Sequence, residues 1–327
     1  MNGNSFRTEI TCLPGNPIGL RAKILTTGSC FADQLGNWLL NNKFEVLVNP
    51  FGNTYNPVSI HKNLMDSIHR EVDNQLLIEQ HGIWHHLDYH SQWSSSNQKE
   101  LIHSIRNKQA LVKEYLSQAE VVLITYGTAW VYLHKEENKT VANCHKVPAR
   151  EFDKQLLSVE EIIKSFNELH SLIKNSNKNI RFILTVSPVR HLKDTIQLNS
   201  VSKASLRLAC HQLANQYPEV DYFPSFEIMM DDLREYRFYD RDMIHPSQEA
   251  VDYISQKFSD QYFTSEVKIF IEKWSSIRQA LAHIPYHPNS VGHQNFLQDL
   301  LRKLNSIKEV SVAEEITFVQ SQIHLNA

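Results

Sequence analysis

KILTTGSCFADQLGNWLL, residues 23–40, decides the fold. An apolar run through Ile24 and Leu25 breaks at Gly28, and an amphipathic pattern carrying Phe31, Leu35 and Leu39 at helical spacing follows at once. This is a strand that turns directly into a helix, with Ser29 and Cys30 at the corner. Both side chains can act as nucleophiles, and serine is also a common helix cap. The corner therefore reads as a cap or as an active site.

Working outward, strand 23–27 and helix 31–42 are followed by strand 44–48 and by helix 57–72, which opens on Pro57. VVLITYGT (121–128) and IRFILTVSP (180–188) are continuous apolar runs of the buried-strand type. Residues 158–177 form a helix with a capping box, Ser158 and Glu161. Residues 202–217 read as a further helix and 221–229 as a last strand. Buried strands alternating with helices predict a three-layer α/β/α sandwich with a mainly parallel sheet and right-handed crossovers. Residues 1–263 are expected to form this domain. The helical patterns at 267–282 and 295–307 predict that 264–327 is an extension packed on the core.

The 327 residues, 42% of them hydrophobic, suffice for a full core. The net charge of −3 comes from 33 basic and 36 acidic residues with no dense Lys/Arg run, so neither nucleic acid nor an acidic membrane surface is an expected partner. The amino terminus lacks a secretory pattern and no run approaches the ~18 apolar residues of a membrane span, so a cytoplasmic location is expected. Cys12, Cys30, Cys144 and Cys210 contain no CxxC pair, which argues against a disulfide framework and a zinc knuckle. The segment GIWHHLDYHSQWSS (82–95) reads as a hairpin or irregular insertion; its three histidines could gather a metal, but the alternation suits a packed element better. No metal and no cofactor is expected.

In open α/β sheets functional groups collect beyond the carboxyl ends of the strands. There the sequence places Gly28, Ser29 and Cys30, then the 49–52 segment, then Gly127 and Thr128, then the 187–191 segment with Arg190 and His191. Further on, Asp242 and His245 stand three apart just before a helix. A carboxylate at that spacing can accept the imidazole Nδ1 proton and leave Nε2 aimed at a nucleophile. With Ser29 the chain order becomes Ser, Asp, His, and the following helix amino terminus offers N–H groups to an oxyanion.

Six ordered motifs, GSCFA (28–32), NPFGNTYNP (49–57), YGTAWVY (126–132), NCHKVP (143–148), SPVRH (187–191) and DMIHPS (242–247), resemble the GSCFA family, a bacterial branch similar to SGNH/GDSL hydrolases, over roughly residues 6–263. The resemblance implies an SGNH-type, flavodoxin-like fold with Ser29 as nucleophile and Asp242 and His245 as its partners. It implies an oxyanion hole built from the Ser29 and Gly52 N–H groups and a third donor. Ala129 stands where the SGNH pattern has an asparagine, so Asn143 is the candidate replacement. Arg190, His191, His145 and Thr128 are the candidate substrate contacts.

The leading expectation is a serine hydrolase that cleaves a carboxylic ester, such as an O-acetyl group on a carbohydrate, through an acyl-enzyme; its partner is then a small-molecule or glycan ester. Acyl transfer to another hydroxyl uses the same groups. Two other readings stand beside it: a binding module on a hydrolase fold, in which the 84–93 aromatics read a carbohydrate or peptide, and a thiol enzyme using Cys30.

Overall fold

A computed structural model describes residues 8–12 and 14–324. The opening stretch forms strand β1 (Lys23–Gly28) and helix α1 (Cys30–Asn41), with Ser29 as N-cap between them. After β2 (Glu45–Val48), helix α2 (Pro57–His69) starts at a proline behind the N-cap Asn56. A small antiparallel sheet of β3 (Leu77–Gln80), β4 (Ile83–His86) and β5 (Ser94–Ser95) precedes helix α3 (Gln98–Gln118).

Strand β6 (Val121–Tyr126) is buried throughout. A second small sheet follows, made of β7 (Trp130–His134), β8 (Lys139–Val141) and β9 (Phe152–Leu156). Helix α4 (Val159–Ser176) carries the complete Ser158/Glu161 capping box. Then come β10 (Arg181–Val186), α5 (Ile196–Gln216), β11 (Val220–Phe223) and the single turn α6 (Ser225–Glu227). Helices α7 (Gln248–Tyr262), α8 (Ser265–Leu281), α9 (Val291–Asn305) and α10 (Ala313–His324) complete the chain.

The central sheet has the order β2-β1-β6-β10-β11, and every pairing in it is parallel. This is the flavodoxin-like order, whose direction reverses between β1 and β6 and so opens a crevice at their carboxyl ends. Alternation along the strands divides the core. Val122, Ile124, Phe182 and Leu184 pack with Leu64, Ile105, Phe166 and Leu206 of α2–α5. Val121, Leu123 and Ile183 turn the other way, to Phe31 and Leu35 of α1 and Ile254 and Phe258 of α7. The expected sandwich is present.

Several boundaries differ from expectation. Helix α5 begins six residues earlier than residue 202, because Thr195 provides the N-cap by accepting the Leu198 N–H. The run expected as a strand over 221–229 leaves the sheet at Phe223 and coils through α6 and a π-type turn, Ile228–Asp232. Helix α10 was not anticipated. Helices α8–α10 gather their own apolar cluster around Trp274, Leu300 and Leu304. The Trp274 indole donates to Asn41 O at 2.8 Å, and Lys43 pairs with Glu315 at 2.5 Å, which seats these helices against α1. Among the described residues no helix is long and apolar enough to cross a membrane.

Candidate active site

The β1–α1 corner is held by backbone geometry. Gly28 has φ +131°, and a Cβ there would lie 2.1 Å from Thr125 O, so only glycine lets β1 end this close to β6. Asn49, from the loop after β2, brackets the glycine: its Oδ1 accepts the Gly28 N–H at 3.1 Å and its Nδ2 donates to Gly28 O at 3.3 Å. The adjacent Thr54 N–H also reaches Gly28 O, at 2.9 Å. This role needs the fold, because Asn49 and Gly28 lie 21 residues apart in sequence.

At this corner Ser29 is 0% exposed. Its Oγ accepts the Phe31 N–H at 3.4 Å as the α1 cap, and its own N–H donates to Thr125 O at 3.1 Å. Cys30, one residue on, is the first residue of α1 and is partly exposed. Burial raises the Cys30 thiol pKa, and Asp33 adds to this, while the N–H groups of Cys30 and Phe31 and the Lys203 charge oppose it. The resting side chain is a thiol.

The neighbouring strand ends are tied together across the crevice. Tyr55 O accepts the Gly127 and Thr128 N–H groups at 2.8 and 3.1 Å, and the Tyr55 ring meets His191 edge-on. Below them lies Lys203 of α5, 2% exposed, its Nζ donating to Gly127 O at 2.8 Å and Ser187 O at 2.7 Å. It has no carboxylate partner among its hydrogen bonds. Burial drives the Lys203 ammonium pKa down to about 7. Its sequence signal was a lysine at a core position of an otherwise apolar helical face.

Asp242 and His245 meet as the spacing predicts. Asp242 Oδ2 lies 2.6 Å from His245 Nδ1, and Oδ1 accepts the Ile244 and His245 N–H groups at 2.8 and 3.0 Å. Those backbone donors and then the imidazole hold the Asp242 carboxyl down at about 2. A carboxylate so fixed orients the ring, and no described residue hydrogen-bonds Nε2. Arg190 N donates to Ile244 O at 3.1 Å, joining this turn to the end of β10. No hydrogen bond links Ser29 Oγ to His245, so the structure pairs Asp242 with His245 but not His245 with Ser29.

The remaining expected residues fall into two groups. His191 stays in the crevice: its Nε2 is buried without a partner, and burial, with the Lys203 charge second, lowers its pKa to about 4. Arg190 lies at the same edge, its guanidinium 3.9 Å from the Tyr239 ring centroid, where it braces the turn that carries Asp242.

The others are engaged in holding loops. The Gly52 N–H donates to Asn49 O at 2.8 Å, so both backbone donors expected for the oxyanion hole, Ser29 and Gly52, are occupied. Thr128 Oγ1 accepts from Trp130 N and contacts Ser202 Oγ at 3.0 Å, which fixes the loop to α5 instead of facing a substrate. His145 is buried with Nε2 between His86 O and Tyr89 O, at 2.9 and 3.0 Å; it anchors the small sheet and is unsuited to a substrate contact. Asn143 Oδ1 accepts the His145 N–H at 3.0 Å, which leaves only its amide hydrogens uncommitted.

The histidines of the insertion separate. His86 bonds Asp73 O and the Asp88 N–H, His85 stacks on His145, and His90 packs beside the position a Gly52 side chain would occupy. Trp93 turns inward to donate to Phe51 O at 3.1 Å. Among the described residues, no group of three or more His, Cys, Asp or Glu side chains is placed to hold a metal ion.

Among solved structures the chain is similar to a protein from Streptococcus pneumonia, at 12% identity over 73% of this chain and 83% of that one, with a TM-score of 0.41. It is similar to a carbohydrate esterase family 3 protein from Talaromyces cellulolyticus, at 9% identity over 77% and 98% of the two chains, with a TM-score of 0.35. A third is the acetyl xylan esterase Est2A from Butyrivibrio proteoclasticus, at 10% identity over 75% and 63%, with a TM-score of 0.36. No curated protein matches it. The model of the GSCFA family matches residues 23–258, and that of the GSCFA domain protein C-terminal domain matches 274–325. On that evidence the chain belongs to the GSCFA family.

Proposed function

We propose that the chain is an ester hydrolase of the SGNH type, acting through an acyl-enzyme on a carboxylic ester such as an O-acetyl group on a carbohydrate. The observation that carries this reading is the Asp242–His245 pair: a 2.6 Å contact at Nδ1, a carboxylate locked by two backbone N–H groups, and a free Nε2. That is the orienter-and-base half of a nucleophilic site. A nucleophile at the β1–α1 corner attacks the ester carbonyl, His245 takes its proton and returns it to the departing alcohol, and Asp242 stabilises the imidazolium between the two events. Ser29 meets the sequence expectation for the nucleophile, on condition that Oγ leaves its cap.

The test is a panel of short-chain aryl acetates and acetylated sugars assayed with the purified chain. At least one ester should be hydrolysed, and His245→Ala should lower its rate by about 100-fold or more. Equal rates for the two proteins across the panel would refute the reading. A second reading, a non-catalytic binding module, is favoured by the occupied Ser29 and Gly52 N–H groups. It predicts that acetylated sugars bind without being cleaved.

A further inference from the structure

We infer that the nucleophile of this site is Cys30 and that Ser29 is the structural residue of the pair. The inference rests on the acyl-transfer reading above. Ser29 is 0% exposed, its Oγ accepts a helix N–H and its own N–H is used by β6. An ester carbon cannot reach that oxygen while the residue is sealed from solvent. Cys30 is partly exposed one residue further on.

The same one-residue step resolves the oxyanion problem. As the first residue of α1, Cys30 has an N–H with no intrahelical acceptor. It lies at the positive end of the helix, beside its own sulfur, where a tetrahedral oxyanion would form. The Ser29 N–H, in contrast, already has Thr125 O at 3.1 Å. A nucleophile at 30 therefore comes with a backbone N–H that no carbonyl of the described residues claims and that already favours negative charge on its sulfur, and one at 29 does not.

The surroundings of the corner favour a ligand there. Thr54, 2% exposed and tied through its N–H to Gly28 O, has an Oγ1 with no partner. An ionised Cys30 would raise the pKa of both Tyr55 and Lys203, and Lys203 holds the facing ends of β6 and β10. Cys30 is thus near Tyr55, whose ring meets His191 in the crevice.

The chemistry balances without an outside reactant other than water. His245 Nε2 takes the thiol proton as Sγ bonds to the ester carbonyl carbon. Collapse of the adduct breaks the carbon–oxygen bond; the alkoxide leaves with the proton from Nε2, and the acyl group stays as a thioester. Water then bonds to the carbonyl carbon while giving a proton to Nε2. The carbon–sulfur bond breaks, the sulfur regains that proton, and the carboxylic acid departs.

The experiment is acid-quenched incubation of the full chain with p-nitrophenyl acetate, with the acetylated residue found by peptide mass spectrometry. An acetyl group should appear on Cys30 at least about 10-fold faster than on the partly exposed Cys12 and Cys144, be removed by neutral hydroxylamine as thioesters are, and lose its rate advantage in His245→Ala. Cys30→Ala should lower turnover by about 1000-fold or more, while Cys30→Ser, nearly the same size, should carry a hydroxylamine-resistant acetyl at position 30. Acetylation of Ser29, or Cys30→Ala turnover within about 10-fold of wild type, would overturn the inference and leave the esterase reading standing. Should Cys30→Ala fail to fold, the wild-type and Cys30→Ser maps still decide. No acetylation at position 29 or 30 and no hydrolysis of any ester would remove both readings together.

Discussion

Replacing Lys203 with methionine tests whether a charge is in fact stored beneath the crevice. The ammonium is 2% exposed and, among the described residues, hydrogen-bonds only the carbonyls of Gly127 and Ser187; burial drives its pKa from 10.5 to about 7. Because the folded pKa lies below the unfolded one, the unfolded state binds more protons between pH 7 and 10.5, and stability rises with pH through that window. Linkage puts the penalty at about 4 kcal/mol at pH 7 and about 2 kcal/mol at pH 9. Lys203→Met removes this term but leaves two buried carbonyls unsatisfied, at about 1–3 kcal/mol each. The variant should therefore unfold with a free energy near that of wild type at pH 7 and lose about 2 kcal/mol against it by pH 9. Urea unfolding of both proteins at pH 7 and pH 9 reads the difference, in which the titrations common to both cancel. Parallel pH dependences would mean that Lys203 has an ordinary pKa and that the buried-charge argument is wrong.

Gly28→Ala should cost about 3 kcal/mol or more, since a Cβ 2.1 Å from Thr125 O must push β1 off β6 in a backbone conformation that already favours glycine; a urea midpoint within error of wild type would contradict this. Asp242→Asn should lower ester turnover by about 100-fold or more at neutral pH, because an amide neither fixes the Nδ1 proton nor stabilises the imidazolium, and steady-state kinetics against wild type measure it. His61 and His86 are held neutral by burial with pKa values of about 3, so between pH 6.5 and 4.5 the unfolded chain takes up protons the folded chain refuses, and stability should fall by about 2 kcal/mol over that window for each. His61→Gln, which keeps partners for Tyr126 and Ser165, should reduce that acid slope, as chemical unfolding at the two pH values would show.

Much of the fold was legible because its signals are local. The apolar runs of β6 and β10, the Ser158/Glu161 capping box and the glycine after β1 each act within a few residues, and each survives in the folded chain. The same holds for Asp242 and His245, whose contact spans three residues and a single turn. Where expectation missed, long-range packing had overruled local pattern. The apolar 221–229 run leaves the sheet after Phe223, and Ile228 and Met229 instead coil beneath α7 within the core. His145 resembled a site residue in its motif, yet the carbonyls that claim it belong to His86 and Tyr89, more than fifty residues earlier.

The sequence by itself determined the alternation of strand and helix, the strand-to-helix corner at Gly28, and the Asp242–His245 contact, because hydrophobic period, capping and short-range hydrogen bonding depend on neighbours along the chain. Only the tertiary structure decided which of two adjacent side chains at that corner is reachable. That choice follows from the register of β1 on β6: Gly28 pairs with Thr125, Ser29 donates its N–H to the same residue and is sealed, and Cys30 starts the helix outside the sheet. Because β1 is buried on both faces, its own pattern does not mark which corner residue is sealed, and nothing within GSCFA states which strand lies beside it. Lys203 shows the same dependence, since its two carbonyl partners lie 76 and 16 residues away and are brought above it only when β6 and β10 pair.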